Sequence, residues 1–308
     1  MSTSGAVTFN LDLNNLVEEA FERCGQELRT GYDLRTARRS MNLLTIEWAN
    51  RGINLWTIEQ GQIPMVTGQA MYPLPNDTID LMDMVIRTNN GSQSNQIDIN
   101  ISRISESTYS TIPNKLTNGR PIQVWYNRQT GQSNATTCVL DGAISATDTT
   151  ITVTDASQLA NTGFIQIGNE IIGYPNVSGN QLINCYRAQS GTTATSHLTG
   201  ASIINKNIPC INVWPTPDAG GGPYTFVYWR MRRIQDAGTS GNVEPDIPFR
   251  LLPCMVAGLA FYLSQKLPDA LPRMQFLKNE YEEQWLMAST EDREKAPSRF
   301  VPRTMFYA

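Results

Sequence analysis

Histidine is nearly absent from this chain: its 308 residues include one, His197, in the polar stretch TTATSHLTG. Imidazole is the usual general base and the commonest metal ligand near neutral pH. Most hydrolytic and metal-site chemistries therefore have little to work with, and a lone histidine in such a stretch reads as a solvated loop residue. Paired cysteines are missing too. Cys24, Cys138, Cys185, Cys210 and Cys254 are scattered, odd in number and never spaced CxxC. That excludes a disulfide framework and a zinc ribbon, and reads as buried reduced thiols in a protein assembled in a reducing cytosol. No serine or cysteine sits in a GxSxG elbow. DAGGGP at 218–223 lacks the lysine and the strand-to-helix setting of a phosphate loop, so it reads as a turn. Carboxylates such as Asp77 and Asp80, or Glu282 and Glu283, read as surface charge rather than a glycosidase pair. With no catalytic constellation, metal site or cofactor motif, the expectation is a protein that is not an enzyme and carries no cofactor.

Charge is scarce as well. Only 17% of residues are charged, against 40% hydrophobic, and the net charge is -4. General positive charge for wrapping nucleic acid is therefore lacking. A polar, weakly charged surface suits stable protein contacts better. No apolar run approaches the ~20 residues of a membrane span. The longest, LLPCMVAGLAFYL at 251–263, carries Pro253 near its start and reads as a buried helix. MSTSGAVTFN lacks the basic start and apolar run of a signal peptide, so no membrane role is expected.

What is present falls into three blocks. Leu13, Leu16, Ala20 and Cys24 recur at helical spacing behind a capping Asp12 or Asn14, and Gly25 ends or bends that helix. A second helix follows, with Asp33 as its N-cap, the stripe Leu34–Ala37–Met41–Leu44–Trp48, and Gly52 as its terminating glycine. From Trp56 the pattern turns to strands. GRPIQVWYNRQ puts Ile122, Val124 and Tyr126 on one face, IPCINVWPTPD at 208–218 looks like its hairpin partner, and YTFVYWRMRRI at 224–234 is a third strand. The last third is helical again. DIPFRLLPCMVAGLAFYLSQKLP is apolar nearly all round, with small Ala257, Gly258 and Ala260 to admit a close neighbour. LPRMQFLKNEYEEQWLMAST is amphipathic through Met274, Leu277, Tyr281 and Trp285.

Two segments stand apart. Residues 130–206 are dense in Thr, Ser and Gly and hold short strands at regular spacing, as in a small β-barrel or sandwich inserted between neighbouring strands. Residues 291–308, EDREKAPSRFVPRTMFYA, form a polar, proline-broken strap that finishes on Met305, Phe306 and Tyr307. The expected class is α+β, in three parts: a core from 1–129 and 207–290 with helices at both ends and a β-core, the module 130–206, and an extended arm 291–308. Arg35, Arg38 and Arg39 form a cluster on the second helix, with Arg29 and Arg51 nearby. Either they touch DNA phosphates or an acidic protein surface, or they form a solvated helix face. Arg230 and Arg232 pose the same question on one strand face.

In this order the segments LNNLVEEAFERCGQELRTGYDLRTARRSMNLLTIEWANRGINLWTIEQG, GRPIQVWYNRQ, VYWRMRRIQDAG and IPFRLLPCMVAGLAFYLSQKLP through EDREKAPSRFVPR carry a family likeness over about two thirds of the chain. The chain resembles the head-to-tail adaptor (connector) proteins of short-tailed bacteriophages. The resemblance implies a ring of roughly twelve copies beneath the portal protein, joined to a tail nozzle or tube. The ring would enclose a channel through which DNA passes without sequence-specific contact, in a virion assembled in the bacterial cytoplasm. It implies further that the C-terminal arm docks on the portal or an adjacent copy, through Pro297, Arg299, Phe300, Val301, Pro302, Arg303, Met305, Phe306 and Tyr307. Burial of the arm's five large apolar side chains, at ~1.5–3 kcal/mol each, is nearly cancelled by ordering its backbone at about 1–2 kcal/mol per residue. One arm then binds weakly and many bind together. The inserted module is the departure from the family pattern. It keeps two alternatives in view, a tail component that reads host-surface sugars and a tail-associated cell-wall hydrolase.

Overall fold

The computed structural model describes residues 11–52, 55–129, 133–220, 223–238 and 244–292. The fold is α+β, with helices at both ends and β-sheets between them. In chain order the helices are α1 (Leu13–Arg23), α2 (Gly31–Arg51), the short α3 (Glu106–Ser110), α4 (Leu252–Ser264) and α5 (Met274–Glu291). The chain divides into two compact units, residues 1–58 with 233–308, and residues 59–232.

The first unit is helical and closes around α4, against which α1, α2 and α5 all pack. Asp12 caps α1, its carboxylate accepting from the Asn15 N–H at 2.8 Å. The start of α2 differs from the expectation. Its N-cap is Thr30, whose hydroxyl accepts from the Asp33 N–H while the Asp33 carboxylate accepts from the Thr30 N–H. Asp33 is therefore the third helical residue of a capping box, which satisfies two end-of-helix donors rather than one. Gly52 ends α2 at φ +89°, a left-handed conformation that glycine adopts without strain. Leu16, Val17, Ala37, Leu44, Trp48, Met255, Leu259, Leu277 and Tyr281 share one buried cluster. Gly258 sits at its tightest point. A methyl group there would stand 2.8 Å from the Tyr281 ring and 2.9 Å from Leu44, so both neighbouring helices rely on the missing side chain.

The second unit is built of strands. Ile58–Pro64, Tyr224–Arg232, Thr78–Thr88 and Ile97–Asn100 lie in that order in one sheet. A second sheet runs Met71–Pro73, Cys210–Trp214, Gln123–Asn127, Ser102–Ile104. Cys210–Trp214 pairs antiparallel with Gln123–Asn127, placing Ile211 opposite Tyr126 and Val213 opposite Val124. The Tyr224–Arg232 strand does not extend this hairpin; it pairs with Thr78–Thr88 in the other sheet. Side chains from both sheets, among them Leu81, Ile86, Val124, Val213 and Phe226, fill a common cluster. Ile122 stays 43% exposed, outside the stripe that Val124 and Tyr126 bury.

Between Asn134 and Lys206 lie a four-stranded sheet and a three-stranded one, whose strands share a buried cluster including Cys138, Ile151, Ile165, Ile172, Tyr174 and Ile203. This segment lies in the same compact unit as the two sheets above. Met71, Phe164, Ile208 and Cys210 form a buried cluster that ties it to them. The two compact units part at 58 and 233.

Candidate functional site

The surface that stands out in the helical unit is the outer face of α2, and a polar clamp at the C-terminal end of α2 fixes where it points. Trp48 Nε1–H donates to the Tyr281 hydroxyl at 3.1 Å, and the Tyr262 hydroxyl donates to Glu47 Oε2 at 2.6 Å. Arg51 forms ion pairs with Glu47 at 2.6 Å and Glu282 at 3.0 Å, and lies over the Trp285 ring at 4.8 Å from its centroid. One arginine thus joins α2 to α5 by charge and by ring contact, so its planar guanidinium is not replaceable by an ammonium. Its pKa is raised above the ordinary arginine value, first by the hydrogen bond to Glu282.

With the core stripe held on α4, the opposite stripe of α2 is left outside. It carries Tyr32, Arg35, Arg39, Leu43 and Ile46, all exposed. Arg35, Arg38 and Arg39 do come together. With Tyr32 and Gly238 they line one open depression of about 610 Å³. Arg38 is half-buried, whereas Arg35 and Arg39 reach outward. Lys266 borders the same face from beyond α4, its ammonium donating to Ser40 Oγ at 2.8 Å. Burial, then the nearby Arg39 charge, pull the Lys266 pKa below the ordinary lysine value. The outer face of α2 is therefore both basic and apolar.

A second stripe of the same kind lies on α5. Phe276, Leu286 and Met287 are more than half exposed there, on the side away from the buried Leu277, Tyr281 and Ala288. A third apolar feature, a groove of about 740 Å³, runs between α1 and the start of α4 and is lined by Leu11, Phe249, Leu252, Pro253 and Val256 among others.

Other sequence candidates are placed differently. Arg230 and Arg232 are engaged within their own unit. Arg230 pairs with Asp77 and with Glu59, the latter at 2.9 Å, and Arg232 pairs with Glu59 at 2.6 Å. Asp77 and Glu59 thus join neighbouring strands, and these arginines brace a sheet. His197 is not a solvated loop residue. Its side chain is only 10% exposed, and its Nε2 lies 2.8 Å from Glu170 Oε2. Because an ionised carboxylate only accepts, that nitrogen carries the proton. Glu170 is wholly buried and also takes a two-pronged pair from Arg187, both bonds at 2.8 Å, and the N–H groups of Ala188 and Thr195. Nothing in the spacing of Glu170, Arg187 and His197 marked them as partners, since three loops and strands bring them together. The arm residues Pro297, Arg299, Phe300, Val301, Pro302, Arg303, Met305, Phe306 and Tyr307 lie outside the described residues.

Set against protein-family models and curated proteins, the sequence matches none.

Proposed function

We propose that the chain is a structural virion protein, a head-to-tail adaptor of a short-tailed bacteriophage. In this reading it forms a ring beneath the portal, joins head to tail and encloses the channel through which DNA passes without sequence-specific contact. Its partners are the portal protein, neighbouring copies of itself and a tail nozzle or tube protein. It performs no catalytic step. The observation that carries the reading is the element order about α4: α1 and α2 precede the strands, α4 and α5 follow them, and the four helices close into one unit. That order is the one on which the family resemblance rests. The exposed apolar side chains of α2 and α5 support it, because a helix that is core-facing on one stripe and apolar on the other is suited to a partner on each side. Tyr32, Leu43 and Ile46 beside the arginines favour a protein contact over a phosphate contact for the α2 face.

Co-sedimentation with assembled portal rings tests the proposal. The full chain is expected to pellet with portal, and a chain ending at Asp292 to keep its thermal transition but stay in the supernatant. A truncated chain that still pellets would remove the docking role of the arm. A full chain that never pellets would remove the adaptor reading itself.

A further inference from the structure

Two exposed faces of the helical unit complement each other, and core packing uses neither. On α2 an aromatic residue, Tyr32, is followed seven positions on by Arg39 and four further by Leu43. On α5 the aromatic Phe276 is followed seven positions on by Glu283 and four further by Met287. Single exposed apolar residues are ordinary on a protein surface. Here Tyr32 is 64% exposed and Leu43 54%, against 68% for Phe276 and 55% for Met287, and each set forms one stripe opposite its helix's core face. At about 1.5 Å per residue, equal intervals mean equal heights. Two such helices laid side by side in parallel bring aromatic to aromatic, arginine to glutamate and leucine to methionine. Glu283 carries no ion pair among the described residues, and Arg35, one turn from Arg39, carries none either. Antiparallel alignment through Arg39 and Glu283 would set Arg35 against Met287 and Tyr32 against Thr290. Pairing α2 with another α2 would set arginines against arginines.

We propose that α2 of one copy packs in parallel on α5 of a second copy of this chain, with Arg39 facing Glu283 while Tyr32 and Leu43 cover Phe276 and Met287. The two faces differ, so the contact is heterologous and each copy keeps one face of each kind to offer. Such a contact propagates head to tail, and closes a ring where the rotation allows. It names the surface between copies and does not require the portal. The three side chains named on each partner fall well short of the roughly 20–30 of a standard stable interface. An isolated pair is therefore weak, and copies held side by side accumulate the contact.

Disulfide trapping on the full chain tests this. All five native cysteines are buried, so cysteines introduced on the helix faces are the accessible ones. The double variant Leu43→Cys with Met287→Cys, oxidised by copper–phenanthroline, is expected to give a ladder of covalent multimers. The two single variants are expected to cross-link only when mixed, and only to dimers. Self-linking of Leu43→Cys alone would overturn the heterologous pairing. A ladder no stronger than that of a control pair at Ile97 and Leu198, 59% and 80% exposed on the other unit, would overturn the contact. Within the trapped background, Arg39→Glu or Glu283→Lys is expected to cut the yield at least tenfold and the two together to restore it. A double swap that stays low would overturn the register. Duplex DNA that abolished the ladder would assign the α2 face to phosphate instead. Portal co-sedimentation of the same variants keeps the two proposals separable, since a ladder without portal binding leaves this contact standing and removes the adaptor reading.

Discussion

Glu170 carries a negative charge with no exposed side-chain surface. Burial works against that charge, but the hydrogen bonds from Arg187, His197 and the N–H groups of Thr195 and Ala188 outweigh it and hold the pKa down at about 2 from an ordinary 4.5. A carboxylate whose pKa is lower folded than unfolded stabilises the fold above the unfolded value and ceases to do so as pH falls through the folded one. The shift corresponds to about 3 kcal/mol, present above pH 4.5 and lost progressively towards pH 2. Glu170→Gln leaves the Arg187 guanidinium buried beside a neutral amide, which costs about 3–5 kcal/mol. Thermal melts at stepped pH check this: the gap between wild type and variant should be widest near neutrality and narrow between pH 4.5 and 2. A constant gap would mean the carboxylate acts through shape alone. The Glu170 cluster was not legible beforehand because its members come from positions 170, 187 and 197 of a segment without helical or strand periodicity linking them. The cysteines were legible, since scattered thiols without pairing partners are accounted for most simply by burial. All five are buried, and burial pushes Cys24 up to about 11 and Cys185 and Cys254 up to about 12. No thiol is therefore expected to react with Ellman's reagent at pH 8 until the chain is unfolded, and five to react then.

At the scale of elements, α4 is the piece on which the helical unit turns. Gly258 admits both Leu44 of α2 and Tyr281 of α5, and the small residues around it announced a close approach before any partner was known. Gly258→Ala should raise local helix propensity yet destabilise the protein by about 1–3 kcal/mol, since the extra methyl overpacks two helices at once. A lower urea midpoint with an unchanged slope checks it; an unchanged midpoint would mean the helices part without cost. The first two helices were readable to within a turn because the 3.6-residue period and the glycines that follow them, Gly25 and Gly52, agree. Asp33 alone has the chemistry of an N-cap, but the reciprocal Thr30–Asp33 pair places the cap three residues earlier. Strand partners were harder to read. The hairpin of Gln123–Asn127 with Cys210–Trp214 was legible from matching alternation, but Tyr224–Arg232 joined the other sheet. Alternation records which face is buried and not which neighbour supplies the hydrogen bonds.

For the whole molecule, the two halves of the helical unit come from opposite ends of the sequence, with the 174 residues of strand-rich chain, 59–232, between them in sequence. The fold class was readable because periodicity changes at Trp56 and again near Asp246. The outer faces of α2 and α5 were only half readable. The arginines drew attention by charge, whereas Leu43, Ile46, Phe276 and Met287 become conspicuous only once the opposite stripes are seen to fill the core. On the ring account these faces meet neighbouring copies weakly, the arm meets the portal weakly, and assembly follows when many are presented together. Native mass spectrometry of the purified chain, alone and mixed with its portal ring, tests that account most directly. The chain is expected to appear at its single-copy mass of 34.3 kDa alone and as one copy per portal subunit in the mixture. A stable small oligomer such as a trimer, unchanged by portal, would contradict it.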